Sequence, residues 1–128
     1  MDYKGTIIEE SLADKSVLEK VTIIGTRIEV VTERHKTPWL KQWTLDTIEV
    51  PSAEAAVIAN IISKAIDKEH GHAWYADFRN ETTHYIIFLE KIFMVDIKNA
   101  KEYDEVKKYA IALGIPEYQV DFSPEVEA

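Results

Sequence analysis

The stretch "HAWYADF", His72 to Phe78, decides how the rest of the chain is read. A strand turns successive side chains to opposite faces. Read that way, His72, Trp74, Ala76 and Phe78 share one face, and Tyr75, Asp77 and the following Arg79 share the other. The apolar set is expected against a helix-covered core. The second set is expected to look out from the opposite sheet face, where a neighbouring strand brings His84 or Tyr85 according to register.

On the N-terminal side of this stretch, "AEAAVIANIISKAIDK" carries Ala55, Ile58, Ile62, Ala65 and Ile66 along one helical stripe, with Pro51 stopping the element before it and Ser52 placed to cap. "QWTLDTIEV" begins with Trp43 and Leu45 in one parity and ends with Ile48 and Val50 in the other. An extra residue near Asp46 and Thr47, a bulge, is expected to reconcile them. "TIIGTRIEVV" alternates as a strand with a bulge at Gly25, and "GTIIEESL" reads as the first strand. Between those two strands, "SLADKSVLEKV" predicts a short helix, with Ser11 or Asp14 accepting from its first free amides and Val17, Leu18 and Val21 at helical spacing.

On the C-terminal side, "THYIIFL" and "IFMVDI" flank Glu90 and Lys91 as a hairpin whose turn lacks the Asn-Gly chemistry that would set its type. Asn99 and Glu102 resemble a capping box opening a last helix, with Tyr103, Val106, Ala110 and Leu113 on one face and Gly114 and Pro116 ending it. "YQVDF" adds a terminal strand. The order β-α-β-β-α-β, followed by a β-hairpin and a C-terminal helix, predicts an α+β fold: a largely antiparallel sheet with helices packed on one face, in ferredoxin-like order. Residues 1–122 are expected to form a single α+β domain, and 123–128 a frayed acidic tail.

The balance of 15 Lys and Arg against 23 Asp and Glu gives a net charge of −8, which repels phosphate backbones over most of the surface. The exception is "ERHKTPWLKQW", where Arg34, Lys36 and Lys41 outweigh Glu33 among Trp39 and Trp43. So small a patch supplies few phosphate contacts, and nucleic acid is not an expected partner. The chain has no Cys, its N-terminus lacks the basic and apolar regions of a signal peptide, and no apolar run approaches the ~18 residues of a membrane span. A cytoplasmic protein without membrane contact is expected. "NET" at Asn80 to Thr82 is a formal glycosylation sequon with no consequence in that compartment.

Chemistry-bearing residues are few. His70 and His72 flank a Gly at a spacing that matches neither a metallopeptidase helix nor a zinc finger, although His84, Asp77 and His35 supply further ligands on paper. His84, His72, Asp77 and Glu49 are the acid-base candidates. No activated nucleophile or phosphate-binding glycine loop is present, and no motif assigns a cofactor. The strings "HKTPWLKQWTL", "HAWYADF", "HYIIF" and "LGIPEYQVDF", spread over nearly the whole chain, resemble a family of small bacterial and archaeal proteins that carries no assigned activity. That resemblance implies a free-standing cytoplasmic domain and assigns no residue roles.

The function expected from these readings is a binding or interaction module, contacting a small-molecule ligand or a second copy of itself through the exposed sheet face and the 32–43 loop. Its contact residues are expected to be Trp39, Trp43, Tyr75, Asp77, Arg79, His84, Tyr85 and Tyr118. The aromatics would supply area, and Asp77, Arg79 and His84 would fix polar groups. The alternative is a small enzyme using His84 or His72 with Asp77 as an acid-base pair, with or without a divalent metal.

Overall fold

Alternating apolar residues and the β-branched runs build six strands, and two apolar stripes build two α-helices. The computed structural model of the chain describes residues 2–30, 42–67, 74–113 and 115. The strands are β1 (Tyr3–Ile8), β2 (Thr22–Val30), β3 (Gln42–Val50), β4 (Tyr75–Arg79), β5 (Thr83–Phe88) and β6 (Lys91–Asp96); the helices are α1 (Ala55–Ala65) and α2 (Ala100–Ala112). All neighbouring strands are antiparallel, in the order β2-β3-β1-β4-β5-β6. The expected elements are therefore present where they can be compared, with one change of type: the first crossover is a 3-10 helix, Lys15–Lys20, in place of an α-helix. Asp14 opens it by accepting from the Ser16 amide at 3.0 Å, and Val17 is its one buried residue, with Leu18 partly buried against the core. The "YQVDF" strand lies outside the described residues.

The α1 stripe is buried as expected, but Ser52 makes no side-chain cap and the helix stops at Ala65. Its last carbonyl is taken by the amides of Ala13 and Asp14, so the end of α1 is tied to the segment entering the 3-10 helix. Asn99 caps α2 by accepting from Lys101 N at 3.1 Å, while Glu102 accepts from the Asp96 amide, so the capping box is only half made. Leu113, assigned to the packed face of α2, is exposed, and Ile115 beyond it is buried instead.

Two corrections concern the sheet. The helices do not gather on one face. In β5, Tyr85 and Ile87 cluster with α1, whereas Ile86 and Phe88 cluster with Tyr103, Val106 and Ala110 of α2. Alternate residues of a strand face opposite ways, so α1 and α2 cover opposite faces, and His84 to Phe88 are buried without a break. The second correction concerns β3. Its register against β1 runs unbroken from Tyr3↔Val50 to Ile8↔Leu45, and the irregularity against β2 lies on the β2 side, between Ile23 and Gly25. The bulge at Gly25 is real; the one at Asp46 and Thr47 is absent. Asp46 itself takes the inward position beside Ile48 and Val50, a buried carboxylate where an apolar residue was expected.

Short polar devices close the turns. Asn80 Oδ1 accepts from the Thr82 and Thr83 amides at 2.9 Å each, making an Asx turn from β4 to β5. The β5–β6 turn is Leu89-Glu90, with Glu90 at φ 56. From α1, Ser63 anchors it: its hydroxyl donates to Phe88 O at 2.6 Å and its carbonyl accepts from Glu90 N at 3.1 Å.

Candidate functional site

From Trp74 onward the expected alternation holds, while His72 and Ala73 lie outside the described residues: Trp74, Ala76 and Phe78 enter the α1-side core, and Tyr75, Asp77 and Arg79 take the other face. Register then decides what joins them. Arg79 stands opposite His84, and Phe78 opposite Tyr85, so His84 shares their face while Tyr85 points to the α1 side, edge-on to Tyr3 at 5.3 Å and tilted against Phe78 at 5.1 Å. The face carrying Asp77 and His84 is not the open surface expected, because α2 lies over it. His84 is only 4% exposed. Tyr75 packs against Phe88 at 5.9 Å, and burial, with the nearby Asp77 carboxylate, raises its phenol above the usual value.

Beneath α2 these residues form a chain of hydrogen bonds. His84 Nε2 meets Asp77 Oδ2 at 2.7 Å, and His84 Nδ1 meets Tyr103 Oη at 3.0 Å. Burial raises the Tyr103 phenol, Arg79 opposes the shift and Asp77 adds to it, so the hydroxyl keeps its hydrogen. A neutral imidazole that donates Nε2–H to the Asp77 carboxylate leaves Nδ1 to accept from the Tyr103 O–H. Three elements, β4, β5 and α2, are joined through one imidazole. Tyr103 was legible only as part of an apolar stripe; its hydroxyl is the part the stripe does not reveal.

A second carboxyl cluster lies on the α1-side face. Asp46 is fully buried; its Oδ1 accepts from Thr26 Oγ1 at 2.7 Å, and its Oδ2 accepts from no N–H or hydroxyl group of the described residues. The neighbouring carboxyl is Glu9. Its carboxyl is pushed up to about 7, first by the hydrogen bond shared with Asp46, then by burial and the charges of Asp46 and Glu10, with Lys15 acting in the other direction. Glu10 is engaged elsewhere, accepting from Thr44 N at 2.6 Å and Thr44 Oγ1 at 2.9 Å. The folded chain thus holds a proton on Glu9 that the unfolded chain releases in the ordinary carboxylate range. The stability this proton supports is complete below that range and is lost as pH rises through about 7. Glu9→Gln keeps a donor to Asp46 at every pH. Thermal melts should show it equal to the parent at pH near 3, below the ordinary carboxylate range, and more stable at pH near 8; an equal difference at both would show that no shared proton exists.

The third feature is β2. It ends the sheet, and among the described residues only β3 pairs with it. Its residues are exposed apart from Glu29, which is half-buried and engaged. Opposite Asp46, Thr44 and Gln42 stand Thr26, Ile28 and Val30, with Ile28 59% and Val30 73% exposed. Arg27 and Glu29 take the other side. Ile23 and Ile24, at the bulge, are exposed as well.

The remaining expected site residues scatter. Trp43 is a core residue, 5.4 Å edge-on from Trp74. Glu49 sits on β3 between Lys4 and Thr22, away from His84. Trp39, Tyr118, His35, His70, His72, Arg34, Lys36 and Lys41 lie outside the described residues. An open groove of about 470 Å³ is lined by Thr82, Thr83, Met94, Asp96, Lys98 and Glu102, none of them an expected site residue. Among the described residues no group of three His, Asp or Glu is arranged to hold a metal ion, and no helix is long and apolar enough to cross a membrane.

Fold and geometry together define an α+β protein with an open six-stranded antiparallel sheet, a buried Asp-His-Tyr chain and an apolar edge strand. No protein-family model, curated protein or solved structure matches the chain.

Proposed function

We propose that this chain is a binding module whose contact edge is β2, which takes up an extended segment of a partner as a further strand. The observation that carries it is the pair Ile28 and Val30, 59% and 73% exposed on a strand that, among the described residues, has a neighbour on one side only. An edge strand of nine residues bearing four exposed isoleucine or valine side chains is a template for strand addition. Chains that do not use such an edge blunt it with Lys, Pro or inward charge, and β2 has none of these between Thr26 and Val30 apart from the Arg27–Glu29 side. The order β4-β1-β3-β2, with the Lys15–Lys20 crossover and α1, supports a ferredoxin-like core in this reading, with β5, β6 and α2 added beside β4.

Acid-base catalysis has less support. Both nitrogens of His84 are committed, to Asp77 and Tyr103, so the ring has no lone pair facing outward to take a substrate proton. A staple holding α2 on the sheet accounts for all three residues. A small-molecule site in the groove near Glu102 also has less support, since the groove is open and draws on none of these groups.

A display library of random extended peptides tests the reading. The parent should enrich β-prone peptides, and Ile28→Lys, at an exposed position, should weaken them at least ~tenfold while melting as the parent does. Equal capture by both proteins would refute β2 as the contact edge.

A further inference from the structure

We propose that the partner strand at β2 is β2 of a second copy of this chain, paired antiparallel about a two-fold axis through Ile28. The proposal rests on the reading of β2 as a contact edge and goes further by fixing occupant and register. In an antiparallel pair, residues directly opposite each other either both turn their backbone groups toward the partner or both turn them away. On a single edge strand such residues have the same parity, so a two-fold axis between identical strands must pass through a residue. Few centres remain. An axis at Arg27 sets Arg27 against its own copy, and one at Glu29 sets Glu29 against its own, each a like-charge contact that opposes pairing. An axis at Thr26 draws the bulge between Ile23 and Gly25 into both halves of the ladder.

The axis at Ile28 avoids both faults. It sets Arg27 opposite Glu29 of the second copy and Glu29 opposite its Arg27, two opposite-charge pairs on one side of the joined sheet. On the other side Ile28 meets Ile28, and Thr26 meets Val30 twice, covering the apolar side chains most exposed in β2. The stretch used, Thr26 to Val30, is the part of β2 with unbroken register against β3. Charge and apolar complementarity therefore select the same register.

Sedimentation equilibrium on the full chain tests this. The parent should reach twice its 14.7 kDa mass as concentration rises. Arg27→Glu and Glu29→Arg should each weaken the dimer about tenfold or more, because both cross-strand pairs become like-charged. The double variant R27E/E29R should recover parent affinity, and an equimolar mixture of the two single variants should form a mixed dimer. Thermal melts of each variant confirm that the fold is kept. A monomer at every concentration, or single variants that dimerise as the parent does, would overturn the proposal, as would a double variant no better than the singles. The two readings separate cleanly: a monomer that still captures extended peptides through Ile28 loses the self-pairing and keeps the contact edge, and a monomer that captures none loses both.

Discussion

Gly5→Ala is expected to destabilise the chain by about 3 kcal/mol, lowering Tm by roughly 10 °C. Gly5 lies in β1, between Ile48 of β3 and Phe78 of β4. A methyl group there would overlap Asp77 O and the Phe78 Cα, which are backbone atoms and cannot turn aside as a side chain would. β1 and β4 would have to part at the centre of the sheet, where Ile7, Ile48 and Phe78 are fully buried. Gly25 is the internal control. A Cβ at that position meets nothing within 4 Å, so Gly25→Ala should leave the melt nearly unchanged. Circular-dichroism melts of the two variants decide it, and equal shifts would show that the close approach at Gly5 is not real.

Asp77→Ala should have the next largest effect, about 2–3 kcal/mol. The loss exceeds that of an ordinary surface hydrogen bond because His84 is buried and its Nε2–H is left without an acceptor. Asp77→Asn retains an acceptor oxygen and should cost less than about 1 kcal/mol. Tyr103→Phe removes the donor to Nδ1 and should cost about 1 kcal/mol, and its effect should depend on Asp77, since both act through one ring. Chemical denaturation of the single and double variants measures that coupling. Independent effects would show that the three side chains do not form one chain of hydrogen bonds.

The strand face of "HAWYADF" was legible because period two has a single consistent reading when Ala76 and Phe78 alternate with Asp77 and Arg79. What covers the polar side was not. The stripe of α2 shows that the helix packs, without saying onto which face of the sheet. A signal did exist in "HYIIF": a strand with one wet side alternates, and a run apolar at every position is buried on both sides. Applied to Tyr85, Ile86, Ile87 and Phe88, that rule requires a second covering element and places His84 under it.

Asp46 was hidden for a different reason. The change of parity between Trp43, Leu45 and Ile48, Val50 suggests an inserted residue, because a buried carboxylate is the costlier assumption. The chain meets that cost with Thr26 and a protonated Glu9, groups far from Asp46 in sequence. The exposure of β2 was equally hidden, since "TIIGTRIEVV" has the composition of a buried strand and nothing local says that it ends the sheet. Its position follows from the order of all six strands, which is set by long-range pairing.

Amide hydrogen exchange across Thr26 to Val30, followed by NMR as protein concentration is raised, tests β2 most directly as a self-pairing edge. Alternate amides in that stretch, those not bonded to β3, should pass from fast exchange in dilute solution to protection in concentrated solution, while β1 and β5 stay protected throughout. Fast exchange of the same amides at every concentration would contradict it.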